Sequence, residues 1–498
     1  MESLSQEILE LIIPHLFEIP PIEDPMPWDP EPVLNVAQYA PISRKWQSAV
    51  ERYTMADIKK YSTELDKFRQ VFSSPRRRNC LRKLHYEIDL PTYSKNRFSC
   101  LERRRESKAN NEAFRRGVRD FFDVISSWKT QGVELILAAS SPMDVGRRPE
   151  ELESGLSSER WAFEDNYLTL DEAASLLKSV TSVEALKIPN GARSLHPSAI
   201  GKIIASLPGL ERLTLELNAP KAKRVEMQDE HRLCLANALE SPSLNKLRTL
   251  NIYIEQGIPR NHNFKNRPDD PNYPDGDVLN AAIRKLAENT HLTNLNLTGD
   301  WLVSPALFNG QKQFPYLERV HIQGAPITYD GRWYYTGNST AVNASYENTQ
   351  DDAADDSDSD SNSSFNSEYG DSLPEGREAL LNGDDPHHAW RTHPDPQVFD
   401  PLMKTMATAV LRMSSLQNLR FSMGSNSMFY NSITFECLKP GEHPEWSEYP
   451  RITAELDTAR CYVTLMPQTQ WDVPGDVKTL WKEIVGEQGV VAVATFPM

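Results

Sequence analysis

Apolar positions change period along this chain. Near the start they recur at helical spacing: Leu4, Ile8, Leu9, Ile12, Ile13 and Leu16 fall on one side of a 3.6-residue period. Ser3 or Ser5 can cap that helix, with Glu7 in its first turn. A proline-rich acidic stretch follows from Pro20 to Pro32. Proline fixes φ and removes a donor, so this stretch is read as a loop. A second helical piece is expected at Val33–Tyr39, ended by Pro41. A third starts near Ser43, with Trp46 and Val50 on one face.

From about residue 80 the pattern becomes L-x-x-L-x-L. It reads Leu81-x-x-Leu84-x-Tyr86, Val183-x-x-Leu186-x-Ile188, Leu210-x-x-Leu213-x-Leu215 and Leu247-x-x-Leu250-x-Ile252. It continues as Leu292-x-x-Leu295-x-Leu297, Leu317-x-x-Val320-x-Ile322 and Leu416-x-x-Leu419-x-Phe421. Val133–Leu137 fits between the first two as a weaker match. Amphipathic helices are expected between these strands at Asn111–Lys129, Leu170–Ser179, Pro197–Leu207, Asp229–Glu240, Gly276–Asn289 and Phe399–Met413. Alternating strands and helices with leucine at fixed offsets form the unit of a leucine-rich solenoid, whose apolar faces are buried only by stacking. Spacing is uneven, and the asparagine that standard repeats place after the strand is not regular. The body is therefore read as leucine-rich-repeat-like, with polar loops at Pro259–Pro274 and Asp330–Pro396.

The fold expected is α/β. A small all-α module occupies residues 1–60, an irregular leucine-rich-repeat-like body 61–335, an acidic disordered linker or insertion 336–396, and a C-terminal α/β part 397–498. In that last part Arg451–Thr458 and Arg460–Met466 read as paired strands, Val477–Val485 as a helix and Val490–Phe496 as a final strand. Residues 351–372, DDAADDSDSDSNSSFNSEYGDS, carry too little apolar surface to offset their chain entropy. They also supply much of the net charge of −16. Such a balance does not suit a general nucleic-acid binder.

The five cysteines, Cys80, Cys100, Cys234, Cys437 and Cys461, are far apart in sequence, as expected in a reducing intracellular compartment, cytoplasmic or nuclear. No apolar run reaches the roughly 18 residues of a membrane span. His387, His388 and His393 lie near Asp384, Asp385 and Asp395, but in a proline-rich segment that suits a rigid metal site poorly. No cofactor is expected. The runs Arg76–Arg78 and Arg103–Arg105 read as a turn before a strand and as a helix face, and Glu102 and Glu106 flank the second. Nuclear import is a further use for such runs. The serine-aspartate tract at Ser357–Asp360 suits an acid-directed kinase or serves as a spacer. No GxSxG, glycine-rich phosphate loop or HExxH occurs, and a non-enzymatic role is expected.

Two segments near the start carry a resemblance. Leu4, Glu7, Ile8, Leu9, Ile12 and Leu16 match the opening L-P-x-E-[ILV]-L-x-x-[IV] of an F-box, with Ser5 in the proline position. Ile42-Ser43-Arg44-Lys45-Trp46 matches its later V-[SC]-[KR]-x-W. ISRKWQSAVERYT, FSSPRRRNCLRKLHYEIDLP and NNEAFRRGVRDFFDVISSW resemble a group of filamentous-fungal F-box-like proteins over about the first 140 residues. The resemblance implies a module that binds a Skp1-like adaptor in an SCF-type (Skp1-cullin-F-box) ubiquitin ligase, while the repeat body captures a protein target. The Skp1-contact positions it implies are Leu4, Ile8, Leu9, Ile12, Leu16 and Trp46. Ser5 and the long Phe17–Pro32 loop motivate a second reading: a protein-binding scaffold whose F-box remnant packs against its own repeats, with no ubiquitin role.

Overall fold

The computed structural model describes residues 5–17, 36–94, 97, 102–129, 132–144, 166–170, 177–191, 193–265, 267, 276–340, 375–386, 388–424, 432–443, 457–466 and 469–495. The acidic stretch 351–372, and most of the helix expected at Leu170–Ser179, lie outside them. The chain is mixed α/β, with one open twelve-stranded sheet and, among the described residues, eleven α-helices.

The strands lie in the sheet in chain order. They are β1 (Asp57–Tyr61), β2 (Lys83–Asp89), β3 (Val133–Ser140), β4 (Val183–Ile188), β5 (Arg212–Asn218), β6 (Thr249–Glu255), β7 (Asn294–Trp301) and β8 (Arg319–Gly324). Then come β11 (Asn418–Gly424), β12 (Ser432–Leu438), β13 (Arg460–Leu465) and β14 (Val490–Thr495). A separate two-stranded antiparallel sheet pairs β9 (Tyr335–Thr336) with β10 (His393–Pro394). In the large sheet all neighbours are parallel from β1 to β11; β12 then runs antiparallel to both β11 and β13. Parallel neighbours need a crossover, and helices supply most of them.

Register explains the leucine pattern. Leu186, Leu213, Leu250, Leu295, Val320 and Leu419 lie side by side across six strands. Ile188, Leu215, Ile252, Leu297, Ile322 and Phe421 form a second row two residues further on. The leading residues Leu210, Leu247, Leu292, Leu317 and Leu416 are also buried. All belong to one continuous core between the sheet and its helices. Burying one such side chain is worth about 1.5–3 kcal/mol. The alternate strand residues form the opposite, half-exposed face of the sheet.

Helices form in all six of these expected regions, at Arg104–Ile125, Pro197–Ala205, Val225–Leu239, Val278–Asn289, Phe399–Val410 and Gly475–Val485, the first and third beginning earlier than the expected Asn111 and Asp229. Tyr86 of β2 stacks on Phe121 of the first of these at 4.0 Å, and its hydroxyl donates to the Gly117 carbonyl. Three connecting segments are tied by a buried charge cluster. Arg193 meets Glu102 at 2.7 Å and Asp144 at 3.2 Å, and the Tyr93 hydroxyl donates to Asp144 at 2.8 Å.

The structure differs from the sequence reading in the C-terminal strands, at two cysteines and in the linker. Arg460–Leu465 pairs with Ser432–Leu438 and Val490–Thr495; residues 451–456, in its expected partner, lie outside the described residues. Cys437 and Cys461, distant in sequence, are directly paired across β12 and β13 in the core. The expected 336–396 linker has ordered ends: a helix at Glu375–Asn382 and a packed turn. In that turn Arg391 stacks on Trp390 at 4.2 Å and Trp333 at 5.1 Å, and donates to the Tyr335 and His262 carbonyls. Aromatic stacking gives this polar stretch the packing that its leucine-poor sequence does not advertise.

Candidate partner-binding site

The first helix, α1, spans Gln6–Phe17, and the next, α2, spans Arg44–Thr54. A 3-10 helix at Val36–Ile42 precedes α2 and runs through Pro41. Local chemistry sets both starts. The Ser5 hydroxyl accepts from the Ile8 amide, so serine performs at the helix start a role that a proline would fill by fixing φ. The Ser43 hydroxyl accepts from the Trp46 amide at 3.3 Å, which places the Trp46 ring on the inner face of α2. Hydrogen bonds from its own amide and from Ser5 hold the Glu7 carboxyl below its usual pKa, as suits an acid in a first helical turn.

The inner faces of the two helices form a small core of Leu9, Ile13, Trp46, Ala49 and Val50, with Tyr39 and Ala40 against it. Tyr39 and Trp46 have ring centroids 6.3 Å apart. Glu10 pairs with Arg52 across the helices. The outer face is different. Leu11 is 69% exposed and Ile8 44%, and Ile12 beside them is half-buried. Positions 8, 11 and 12 share a helix face by their i, i+3 and i, i+4 spacing. Ile42 (51%) and Tyr53 (42%) are exposed on the neighbouring elements.

Of the six positions implied for partner contact, Ile8 and Ile12 lie on this outer stripe, whereas Leu9 and Trp46 are taken up by the module's own core. Leu4 and the side chain of Leu16 lie outside the described residues. Leu11 and Tyr53 escaped the sequence reading because a lone apolar residue on the polar side of a helical period carries no signal there; Ile42 entered it only as the first residue of the second motif.

The module is fixed to the body. The Met55 side chain packs on the main core, and the Ala56 carbonyl accepts from the Arg82 and Lys83 amides. β1 begins the sheet directly afterwards. Glu51 of α2 receives Arg77 at 3.1 Å and Arg76 at 3.5 Å. Arg78 donates to the Phe72 and Ser73 carbonyls and lies over Trp128. The first basic run is therefore a clamp between module and body. Two histidines of the other candidate cluster are used differently: His388 pairs with Asn263 at 2.6 Å and His393 lies in β10, while His387 lies outside the described residues. Among the described residues no group of three or more ligating side chains could hold a metal ion, and no helix is long and apolar enough to cross a membrane. No protein-family model and no curated protein sequence matches the chain.

Proposed function

We propose that this chain is a non-enzymatic, intracellular substrate-recognition adaptor of the SCF type. The outer face of α1 and its neighbours engages a Skp1-like protein, and the leucine-rich-repeat-like body engages a protein target. The observation that carries this reading is the apolar stripe of exposed Ile8 and Leu11 with half-buried Ile12, on a module whose inner face is already packed. Exposed apolar clusters on a folded surface mark partner sites. The F-box-like motifs supply the kind of partner, and the chain-order sheet with its rows of buried leucines supports a repeat body. The alternative, a remnant packed away against its own repeats, has less support, since Leu11 stays largely in solvent.

Size-exclusion co-elution of full-length protein with a purified fungal Skp1 tests this. A stable complex is expected, and Ile8→Asp and Leu11→Asp should each abolish it without changing the melting temperature. Folded wild-type protein that never co-elutes with Skp1 removes the adaptor reading.

A further inference from the structure

The solvent face of β5, β6 and β7 carries an open cleft of about 430 Å3, within the range of about 300–1,000 Å3 typical of ligand sites. Sheet register builds it: Thr214, Asn251 and Asn296 lie side by side, and Glu216, Tyr253 and Thr298 form the next row. Burial, and then the negative charges of Glu255, Asp300 and Glu216, hold the Tyr253 phenol above its ordinary pKa.

Hydrogen bonds already occupy several groups of this cleft. Glu216 is already met by Lys187 at 2.7 Å and by the Asn190 amide at 3.0 Å, and Asn190 Nδ2 donates to Glu255 at 3.2 Å. One N–H of the Asn251 amide goes to the Thr214 hydroxyl. Two acceptors have no partner among the described residues, one in the cleft lining and one just beyond it, two residues past Thr298 on β7. Asn296 Oδ1 is shut off from solvent and receives no hydrogen bond. Asp300 forms no hydrogen bond or ion pair among the described residues, and burial together with Glu255 raises its pKa. Beside them the Tyr253 ring is 38% exposed.

We propose that this cleft binds an arginine side chain presented by a segment of a target protein. An unfilled amide acceptor, an uncompensated carboxylate at the rim and an open aromatic face are met together by a group that donates, carries positive charge and stacks. Guanidinium does all three, with five donors in a planar fork. Lysine offers a point charge without the stacking plane. A metal ion is disfavoured because no three ligating side chains converge here among the described residues. The chain's own Asp-rich residues 351–372 carry the wrong charge, while the net −16 draws basic partners in. The inference rests on the adaptor reading only in calling the occupant a target.

The test uses full-length protein and immobilised random peptide libraries with one fixed central residue: arginine, lysine, citrulline or glutamate. Retention on the arginine library should exceed that on citrulline about tenfold, the loss expected for one charge-assisted contact. Asp300→Asn and Tyr253→Ala should each erase that preference with an unchanged melting temperature. Asparagine tolerates the left-handed φ of 64° at this position, and Glu255→Gln serves as a second charge variant. Equal retention of arginine and citrulline overturns the proposal, as do a preference for glutamate and an arginine preference that survives both charge variants. Free arginine amide competing as tightly as the peptides also overturns it, in favour of a small-molecule site. Skp1 co-elution on the same samples separates the two readings. Skp1 binding without arginine preference removes the cleft proposal alone, and arginine preference without Skp1 binding removes the adaptor reading alone.

Discussion

The helical pair before β1 buries Leu9, Ile13, Trp46, Ala49 and Val50 and leaves Ile8, Leu11 and Ile42 in water. The sheet body, by contrast, buries its leucine rows completely and shows solvent threonine, asparagine, glutamate and lysine. A core of five residues is too small to fold a domain alone, so the module borrows stability from the body through Met55, β1 and the Glu51 clamp. This division of labour makes the module's outer surface free to be apolar, because its stability does not depend on that surface. In the body the roles are reversed: apolar residues carry stability, and polar residues are left for recognition.

The sharpest way to break that comparison is to attack the body where its energy is concentrated. Arg193 meets both Glu102 and Asp144, and both carboxylates are almost fully buried. Arg193→Met removes that buried cation from both, which costs about 3–5 kcal/mol. Urea denaturation should show this loss in the transition of the sheet body. A change below about 1 kcal/mol would mean that solvent reaches the cluster and the body is looser than its packing implies.

Trp46→Ala comes next. Removing a buried tryptophan costs up to about 3–5 kcal/mol in a full core, and less here because Trp46 lies in a thin one. The module should open locally: amides of α1 and α2 lose hydrogen-exchange protection while those of β5–β7 keep theirs. If the whole sheet loses protection together, module and body form one cooperative unit, and the contrast drawn above is wrong.

How much of this was legible beforehand follows from the same contrast. The leucine rows could be read because each strand repeats its pattern, and a period of two fixes which residues point inward. β1, with the sequence DIKKY, offers only Ile58 and Tyr61 to that pattern, and its place at the sheet edge comes from backbone pairing with β2. The antiparallel turn at β12 was missed for a similar reason: strand direction is set by connection and register, which composition does not encode. The Arg193 cluster joins residues 91 and 49 positions apart, and the arginine cleft depends on register between strands some 40 residues apart. On α1 the inner face was legible through its period. Its outer leucine was not, because one apolar residue among polar ones is ordinary in sequence and conspicuous only on a surface.

A smaller effect separates the two regions by pH. His231 sits in the body against His196 and Tyr167, with ring centroids 4.6 and 4.1 Å away, and its Nε2 has no hydrogen-bond partner. Burial, and then the neighbouring His196, lower its pKa to about 3. The unfolded chain takes up this proton below about 6.5 and the folded body does not until about 3. The associated stability is therefore fully present above pH 6.5 and is lost as pH falls toward 3. Between pH 7.5 and pH 5 the loss is about 2 kcal/mol. His231→Phe should flatten that part of the pH–stability curve. An unchanged slope would assign the titration elsewhere.

The smallest expected change in stability is the most informative about function. Leu11 is 69% exposed and outside both cores, so Leu11→Ser should shift stability by no more than about 0.5 kcal/mol. If the stripe is a partner surface, the same substitution should weaken Skp1 co-elution strongly, because a half-exposed leucine in the free protein becomes a buried one in the complex. Two outcomes would decide against the contrast. A large fall in melting temperature would show that Leu11 is already packed in the free protein, as the remnant reading requires. An unchanged melting temperature with unchanged Skp1 binding would leave the leucine as an ordinary exposed residue and put the partner surface elsewhere on the module. Only a stable fold with lost binding fits a helix whose inner face holds it in place and whose outer face is kept apolar for another protein.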